Sequence, residues 1–330
     1  MRVLVTGATG FVGRHLCPTL LEGGHEVVAA TRNDTPVGLA AGVAHVAVGE
    51  LTPGTYWRSA LEGIDAIVHL AARTHVMHET ATNPEMAYRR INVEATRRLA
   101  NEAAVLGIKR LVMMSSVKVN GESTAGAPFS AADAPAPEDA YGRTKRDAEI
   151  ELARATEGTS TQAVVLRSPL VYGAGVKGNF LTLMEAVAAG RTLPLGSIDN
   201  SRSLLYAGNL ASALRTALEH PDAAGQTYLV RDGEDLSTAG LVRRIAAALG
   251  VKPRLLPVPA GLLRVAGKLT GKGPAIARLT GSLRVDDAPI RAELGWRPPF
   301  TVDQGLELTA AWFKSRSAGD DQEPEGHDAA

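Results

Sequence analysis

Residues 2–13 read Arg2-Val3-Leu4-Val5-Thr6-Gly7-Ala8-Thr9-Gly10-Phe11-Val12-Gly13. The run into Thr6 is short and apolar, as a strand covered on both faces must be. The spacing of Phe11, Val12, Leu16, Leu20 and Leu21 is that of a helix over 11–23. Between them stand glycines spaced three apart rather than as GxGxxG. In such a strand–turn–helix unit Gly7 takes the tight turn, Gly10 lets the backbone approach a pyrophosphate, and Gly13 permits close packing of helix on strand. The helix N-terminus faces the phosphates with unpaired N–H groups and its positive dipole end. An ordinary glycine-rich turn has the same composition, so the weight falls on the flanking strand and helix. Gly7, Thr9, Gly10, Phe11, Val12 and Gly13 are the candidate dinucleotide contacts.

Outward from this unit, strand-like and helix-like stretches alternate to about residue 230. Strands are expected at 2–6, 26–31, 45–48, 65–70, 110–114, 162–167 and 227–230, and helices at 11–23, 84–107, 139–157 and 180–189. Past 168 the pattern loosens into loops, shorter helices and prolines, as in an annex folded over the C-terminal edge of a parallel sheet, where such sheets bind ligands. The expectation is an α/β chain with a doubly wound Rossmann-type parallel sheet in residues 1–168. A smaller substrate-binding annex follows in 169–316, returning some strands to the sheet, and the acidic stretch 317–330 reads as a disordered tail. The low-complexity run at 130–140 reads as a mobile loop.

Lys plus Arg and Asp plus Glu number 35 each, and no basic run interrupts that balance, so neither nucleic acid nor a membrane surface is expected as partner. No stretch approaches the roughly 20 apolar residues that cross a bilayer, and the first residues lack a signal-peptide pattern. The single cysteine, Cys17, falls in an apolar helical pattern and reads as a core thiol. A cytoplasmic enzyme of a small molecule is the expectation.

The second strand ends Ala29-Ala30-Thr31-Arg32-Asn33-Asp34. NAD sites usually carry an acid there to accept from the adenosine ribose hydroxyls. Arg32 instead offers a guanidinium to a 2′-phosphate, which favours NADP over NAD; the alternative is a solvated Arg32 with Asp34 at the ribose.

Tyr141-Gly142-Arg143-Thr144-Lys145 puts a phenol and an ammonium four apart at a helix start, hence on one face and roughly 5–6 Å apart at Cβ. A free phenol titrates near pH 10 and is a poor base, so a neighbouring cation matters. The preceding strand Leu111-Val112-Met113-Met114-Ser115-Ser116 ends in two hydroxyls delivered to the same edge; their plainer role is to cap a turn.

With TGATGFVG, His69-Leu70-Ala71-Ala72, Asn92-Val93, SSVKVNGE, YGRTK and RSPLVYG in order, residues 1 to about 315 resemble the extended short-chain dehydrogenase/reductases. Within them they resemble the NAD-dependent epimerase/dehydratase family of nucleotide-sugar enzymes. The resemblance implies that Tyr141 exchanges a proton with a sugar oxygen, that Lys145 lowers its pKa and holds ribose, and that Ser116 hydrogen-bonds the same oxygen. It implies that Leu70, Ala71, Ala72 and Asn92 lie along the cofactor and that Pro169 to Tyr172 border the nicotinamide. It further implies a UDP-sugar partner under the annex, met by Asn179 and by Arg202, whose fork suits a diphosphate; Arg278 and Arg284 are weaker candidates. A homodimer through helices 84–107 and 139–157 is also implied.

Dehydratases of the family carry an acid–base pair where this chain has Val117-Lys118, so dehydration is rejected and Lys118 is left as a substrate contact. Of the remaining reactions, Arg32 favours reduction of a UDP-4-keto sugar over 4-epimerisation with retained NAD. Asn120 stands where the family commonly has tyrosine, which bears on sugar specificity. A non-enzymatic NADP sensor is the outlying alternative, since such proteins lose the tyrosine this chain keeps. His75 and His78 read as ordinary loop histidines, and no metal site is expected.

Overall fold

The computed structural model describes residues 1–74, 83–271 and 273–317. Its strands are β1 (Arg2–Thr6), β2 (Glu26–Thr31), β3 (Ala44–Ala47), β4 (Ala66–His69), β5 (Arg110–Ser116), β6 (Gln162–Ser168), β7 (Leu170–Tyr172), β8 (Arg202–Tyr206), β9 (Thr227–Leu229) and β10 (Asp235–Leu236). Seven of them form one sheet in the order β3-β2-β1-β4-β5-β6-β9, every pair parallel. The chain leaves β1 toward β3 on one side and resumes at β4 on the other, so the order reverses between β1 and β4. That reversal opens a crevice at their C-terminal ends. The chain has the α/β fold expected of it, and the seven expected strands are those of this sheet. A second sheet, β10-β8-β7, stands beside it.

The helices are α1 (Phe11–Glu22), α2 (Pro84–Arg89), α3 (Ala95–Val105), α4 (Ala140–Thr156), α5 (Gly178–Ala188), α6 (Ala207–Glu219), α7 (Thr238–Leu249), α8 (Ala260–Leu269), α9 (Gly273–Thr280), α10 (Ala288–Glu293) and α11 (Val302–Ser317). On one face of the large sheet, Leu16, Cys17 and Leu20 of α1 pack with Leu210 and Leu214 of α6 against β1 and β2. On the other, Leu99 and Ala103 of α3 pack with Ala148 and Leu152 of α4 over β4 and β5. Burial pushes the Cys17 thiol up to about 11, in keeping with a core thiol. The annex has its own core, where Tyr172, Phe180, Met184, Val242, Ile245 and Leu306 meet. Asp232 ties it to the sheet, its buried carboxylate accepting from Tyr172 (2.8 Å), the Tyr206 N–H (2.7 Å) and Asn209 (2.8 Å).

Two expectations are corrected. Helix 84–107 is not continuous: between α2 and α3 the chain makes a π-turn, Arg90–Glu94, whose extra residue turns Asn92 inward, where its amide finds partners. The run at 130–140 is anchored rather than loose. Asn120 Nδ2 donates to Ser130 O (2.8 Å), the Ala136 N–H to Val119 O (3.0 Å), and the Phe129 N–H just before it to Arg284 O (2.8 Å). The expected tail falls almost wholly outside the described residues, as do His75 and His78. None of the described helices is long and apolar enough to cross a membrane.

Candidate active site

The glycine loop sits at the crevice. Gly7 has φ +72°, and a Cβ on it would stand 2.9 Å from the Ala71 nitrogen at the end of β4; only glycine fits there. A Cβ on Gly13 would lie 2.3 Å from Gly7 O, which fixes how closely α1 approaches the loop. Gly10 begins α1 with no side-chain cap and no acid follows in the first turn; its own N–H is taken by Gly7 O (3.0 Å), and the first N–H groups of the helix, at Phe11 and Val12, are left for an anion. These features fit a dinucleotide pyrophosphate.

The ends of β1 and β4 are locked by a chain of side chains centred on His69, whose partners Thr6 and Thr96 lie far off in sequence. His69, buried between them, bonds Thr6 Oγ1 through Nδ1 (2.7 Å) and Thr96 Oγ1 through Nε2 (2.9 Å). Thr6 Oγ1 in turn accepts the Ala71 N–H (3.2 Å), placing Leu70, Ala71 and Ala72 across from Gly7. Burial, with the Lys145 charge second, pushes the His69 imidazole down to about 3, so it is neutral and structural.

Lys145 is buried on α4 and its Nζ donates to Met114 O (2.8 Å), which carries the ammonium to the C-terminal end of β5. Burial pushes it down to about 8, with Glu149 pulling the other way. Tyr141, one turn earlier, stands edge-on to Tyr88, with ring centroids 6.4 Å apart. Tyr88 donates to Thr74 O (2.8 Å) and lies under the Arg73 guanidinium at 5.5 Å; neither contact was legible beforehand. Burial raises the Tyr141 phenol above its ordinary value, and the charges of Asp139 and Tyr88 add to that, so the free protein holds it protonated.

Ser116 does cap a turn, its Oγ accepting the Lys118 N–H at 3.3 Å, and its O–H has no acceptor among the described residues. Across the β5–β6 register it faces Ser168, which puts buried Pro169 next to it. Its neighbour Ser115 points the other way, to Glu149. Asn92 spends its side chain on the backbone of Arg73, 2.8 and 3.0 Å, and on Thr144 (3.1 Å); it shapes the loop after β4. Lys118 is held by Glu122 (3.1 Å) and by Asp139, the residue that also caps α4. Asn120 is buried, takes Arg167 (3.1 Å) and reaches Ser130, so it is a junction behind the strand.

In the annex, Arg202 at the start of β8 donates to Arg278 O (2.8 Å) and Gly281 O (2.9 Å). Burial lowers the Arg202 pKa, and the nearby Arg278 charge lowers it further, while the Arg278 Nε is buried with no hydrogen-bond partner among the described residues. A desolvated guanidinium beside a second one that carries an orphaned donor suits an anion. Tyr172 is fully buried and its hydroxyl is committed to Asp232. Asn179 is exposed near the start of α5, Arg284 reaches Gly126 O, and Arg32 is exposed just beyond β2. No cluster of three potential metal ligands occurs among the described residues.

A glycine loop at a sheet crevice, with an ammonium at the end of β5 and a phenol one helical turn before it on α4, defines an enzyme built around a dinucleotide. The chain belongs to the NAD dependent epimerase/dehydratase family, whose pattern it matches over residues 3–230. It is 42% identical over 94% of its length to a UDP-glucose 4-epimerase of Vibrio cholerae, covering 95% of that protein. A 3-beta-hydroxysteroid dehydrogenase of Mycolicibacterium neoaurum is 31% identical over 92% of this chain and 89% of its own. Among solved structures, MoeE5 in complex with UDP-glucuronic acid and NAD superposes with a TM-score of 0.76 at 25% identity, over 96% of this chain and all (100%) of that one.

Proposed function

We propose that the enzyme is a UDP-hexose 4-epimerase, with Tyr141 as the group that takes and returns the proton of the C4 oxygen. The observation that carries this is the placement of Tyr141 and Lys145 on one face of α4 against the end of β5, with Val117-Lys118 where a dehydratase needs its acid and base. The relative of Vibrio cholerae and the UDP-glucuronic acid seen in MoeE5 favour a UDP-sugar over a steroid. A bound NAD supplies the hydride acceptor and donor. The protein holds its pyrophosphate on Gly7–Gly13, with Leu70, Ala71, Ala72, Asn92 and Pro169 lining the path to the reacting ring. Lys145 brings positive charge that makes phenolate accessible once the dinucleotide is in place, and Ser116 donates its free O–H to the sugar oxygen. Arg202 and Arg278 take the diphosphate, with Asn179 and Lys118 at the rim. Epimerisation asks for no further acid or base, only room for the keto intermediate to turn.

Reduction of a UDP-4-keto sugar by NADPH is the second reading, favoured by Arg32, exposed where an NAD site would carry an acid. Purified protein should release NAD on denaturation, identified by mass, and interconvert UDP-glucose and UDP-galactose with no net change at 340 nm. Stoichiometric NADPH consumption on a UDP-4-keto-6-deoxyhexose would overturn the epimerase reading in favour of the reductase. The two readings also divide on Arg32→Ala. A 2′-phosphate site loses about tenfold in NADP affinity with NAD binding unchanged, whereas an NAD enzyme shows neither effect in isothermal titration. We place the enzyme in the cytoplasm, as a homodimer packed through α2, α3 and α4, which sedimentation velocity would test.

A further inference from the structure

The zero net charge of the chain conceals a segregation. Between Leu236 and Val285 there are nine Lys or Arg and no Asp or Glu. Part of that charge is neutralised at home, since Arg244 pairs with Glu234 (2.7 Å) and Asp303 (3.1 Å). Lys252, Arg254, Arg264 and Lys268 are exposed and meet no carboxylate among the described residues. Lys252 and Arg254 lie on the segment that leads into α8, and Arg264 and Lys268 on α8 itself, in the helical hairpin α8–α9. On its inner side Leu263 and Gly267 are buried, and a Cβ on Gly267 would stand 2.8 Å from Ile276 of α9, so glycine lets the two helices close on one another. On its outer side Leu262, Val265 and Leu269 share one face and are 62%, 57% and 83% exposed. Leu256 ahead of the hairpin and Pro274 and Ala275 on α9 are exposed as well.

We infer that the α8–α9 hairpin docks on an anionic lipid surface, its aliphatic stripe entering the headgroup–acyl boundary and its cations meeting the phosphates. An aliphatic face flanked by uncompensated Lys and Arg is the composition of an interfacial helix. The other occupants fit less well. A second copy pairing stripe to stripe would bring its own cations against these. Residues 318–330 carry five acids but no large apolar side chain, so they match the charge and not the stripe. The expectation of no membrane partner drew on charge summed over the whole chain; the contact proposed is peripheral and needs no spanning helix. Because α9 also carries Arg278, docking brings the candidate diphosphate site to the lipid surface. The inference does not depend on which sugar reaction the enzyme performs.

Co-sedimentation of the full-length protein with vesicles of phosphatidylcholine alone, or with about one-third phosphatidylglycerol, tests it. Binding is expected to the anionic vesicles, to weaken about fivefold for each cation removed in Lys268→Gln and Arg264→Gln, and to fall with salt. Leu262→Asn/Leu269→Asn should abolish it while NAD affinity and Tm stay as in the parent. Failure to bind anionic vesicles, or binding indifferent to these substitutions, overturns the inference. So does a drop in oligomer size for Leu262→Asn/Leu269→Asn in sedimentation velocity, since the stripe would then be an interface between copies.

Discussion

Tyr141→Phe is expected to lower kcat by about 10²- to 10⁴-fold while leaving dinucleotide affinity within about twofold. The substitution keeps the ring and its edge-on contact with Tyr88 at 6.4 Å, and removes only the hydroxyl. What is lost is therefore the proton path, not the pocket. In the free protein burial holds the phenol neutral, the state that donates. Running the reaction as a base requires positive charge at the site, and the ammonium available is Lys145, itself pushed down to about 8 by burial. As pH rises through that value the lysine loses its charge, and with it the means to stabilise phenolate, so kcat/KM should fall above about pH 8. A pH–rate profile of the parent and single-turnover rates for the Phe variant measure both effects. Retention of more than about a tenth of the parent turnover by Tyr141→Phe would remove this residue from the chemistry.

The parts of this site that were legible beforehand are those whose geometry is local. Gly7, Gly10 and Gly13 announce a strand–turn–helix because the turn lies within a dozen residues, and Tyr141 and Lys145 share a face because a helix repeats every 3.6 residues. Ser116 was read at a strand end with both roles open, and the structure shows it ending β5 and capping Lys118 with its O–H to spare. The rest depended on partners far off in sequence. Asn92 was read as lying along the cofactor, and the structure adds that its amide bonds Arg73 and Thr144, shaping the loop after β4; the π-turn that aims it there leaves no mark in an apolar pattern. Asn120 was read for sugar specificity because of a motif mismatch, and the structure shows it buried and bonded to Arg167 and Ser130. The charge segregation of 236–285 was invisible to a whole-chain sum.

The largest stability effect is expected one turn below Lys145, at Glu149. Its carboxylate accepts Arg167 Nε (3.1 Å) and Nη2 (2.7 Å) and the Ser115 hydroxyl, and the paired side chains are only 7% and 10% exposed. Arg167 also donates to Asn120 (3.1 Å), so one buried guanidinium joins β6, α4 and the turn after β5. Glu149→Ala leaves that cation desolvated with a single neutral partner, which should cost about 3–5 kcal/mol in urea denaturation. Removing both charges at matched volume, Glu149→Leu/Arg167→Met, should be markedly milder, because the penalty lies in the stranded charge rather than in the absent pair. The same carboxylate acts on catalysis through a separate route, since its charge raises the Lys145 pKa. Glu149→Gln keeps the volume and one acceptor oxygen, so it should cost less than Glu149→Ala while still stranding the Arg167 charge, and because it loses the carboxylate charge its high-pH limb of kcat/KM should move below about 8. A Gln variant with an unmoved limb would confine Glu149 to the fold, and an Ala variant as stable as the parent would mean the pair merely offsets its own burial.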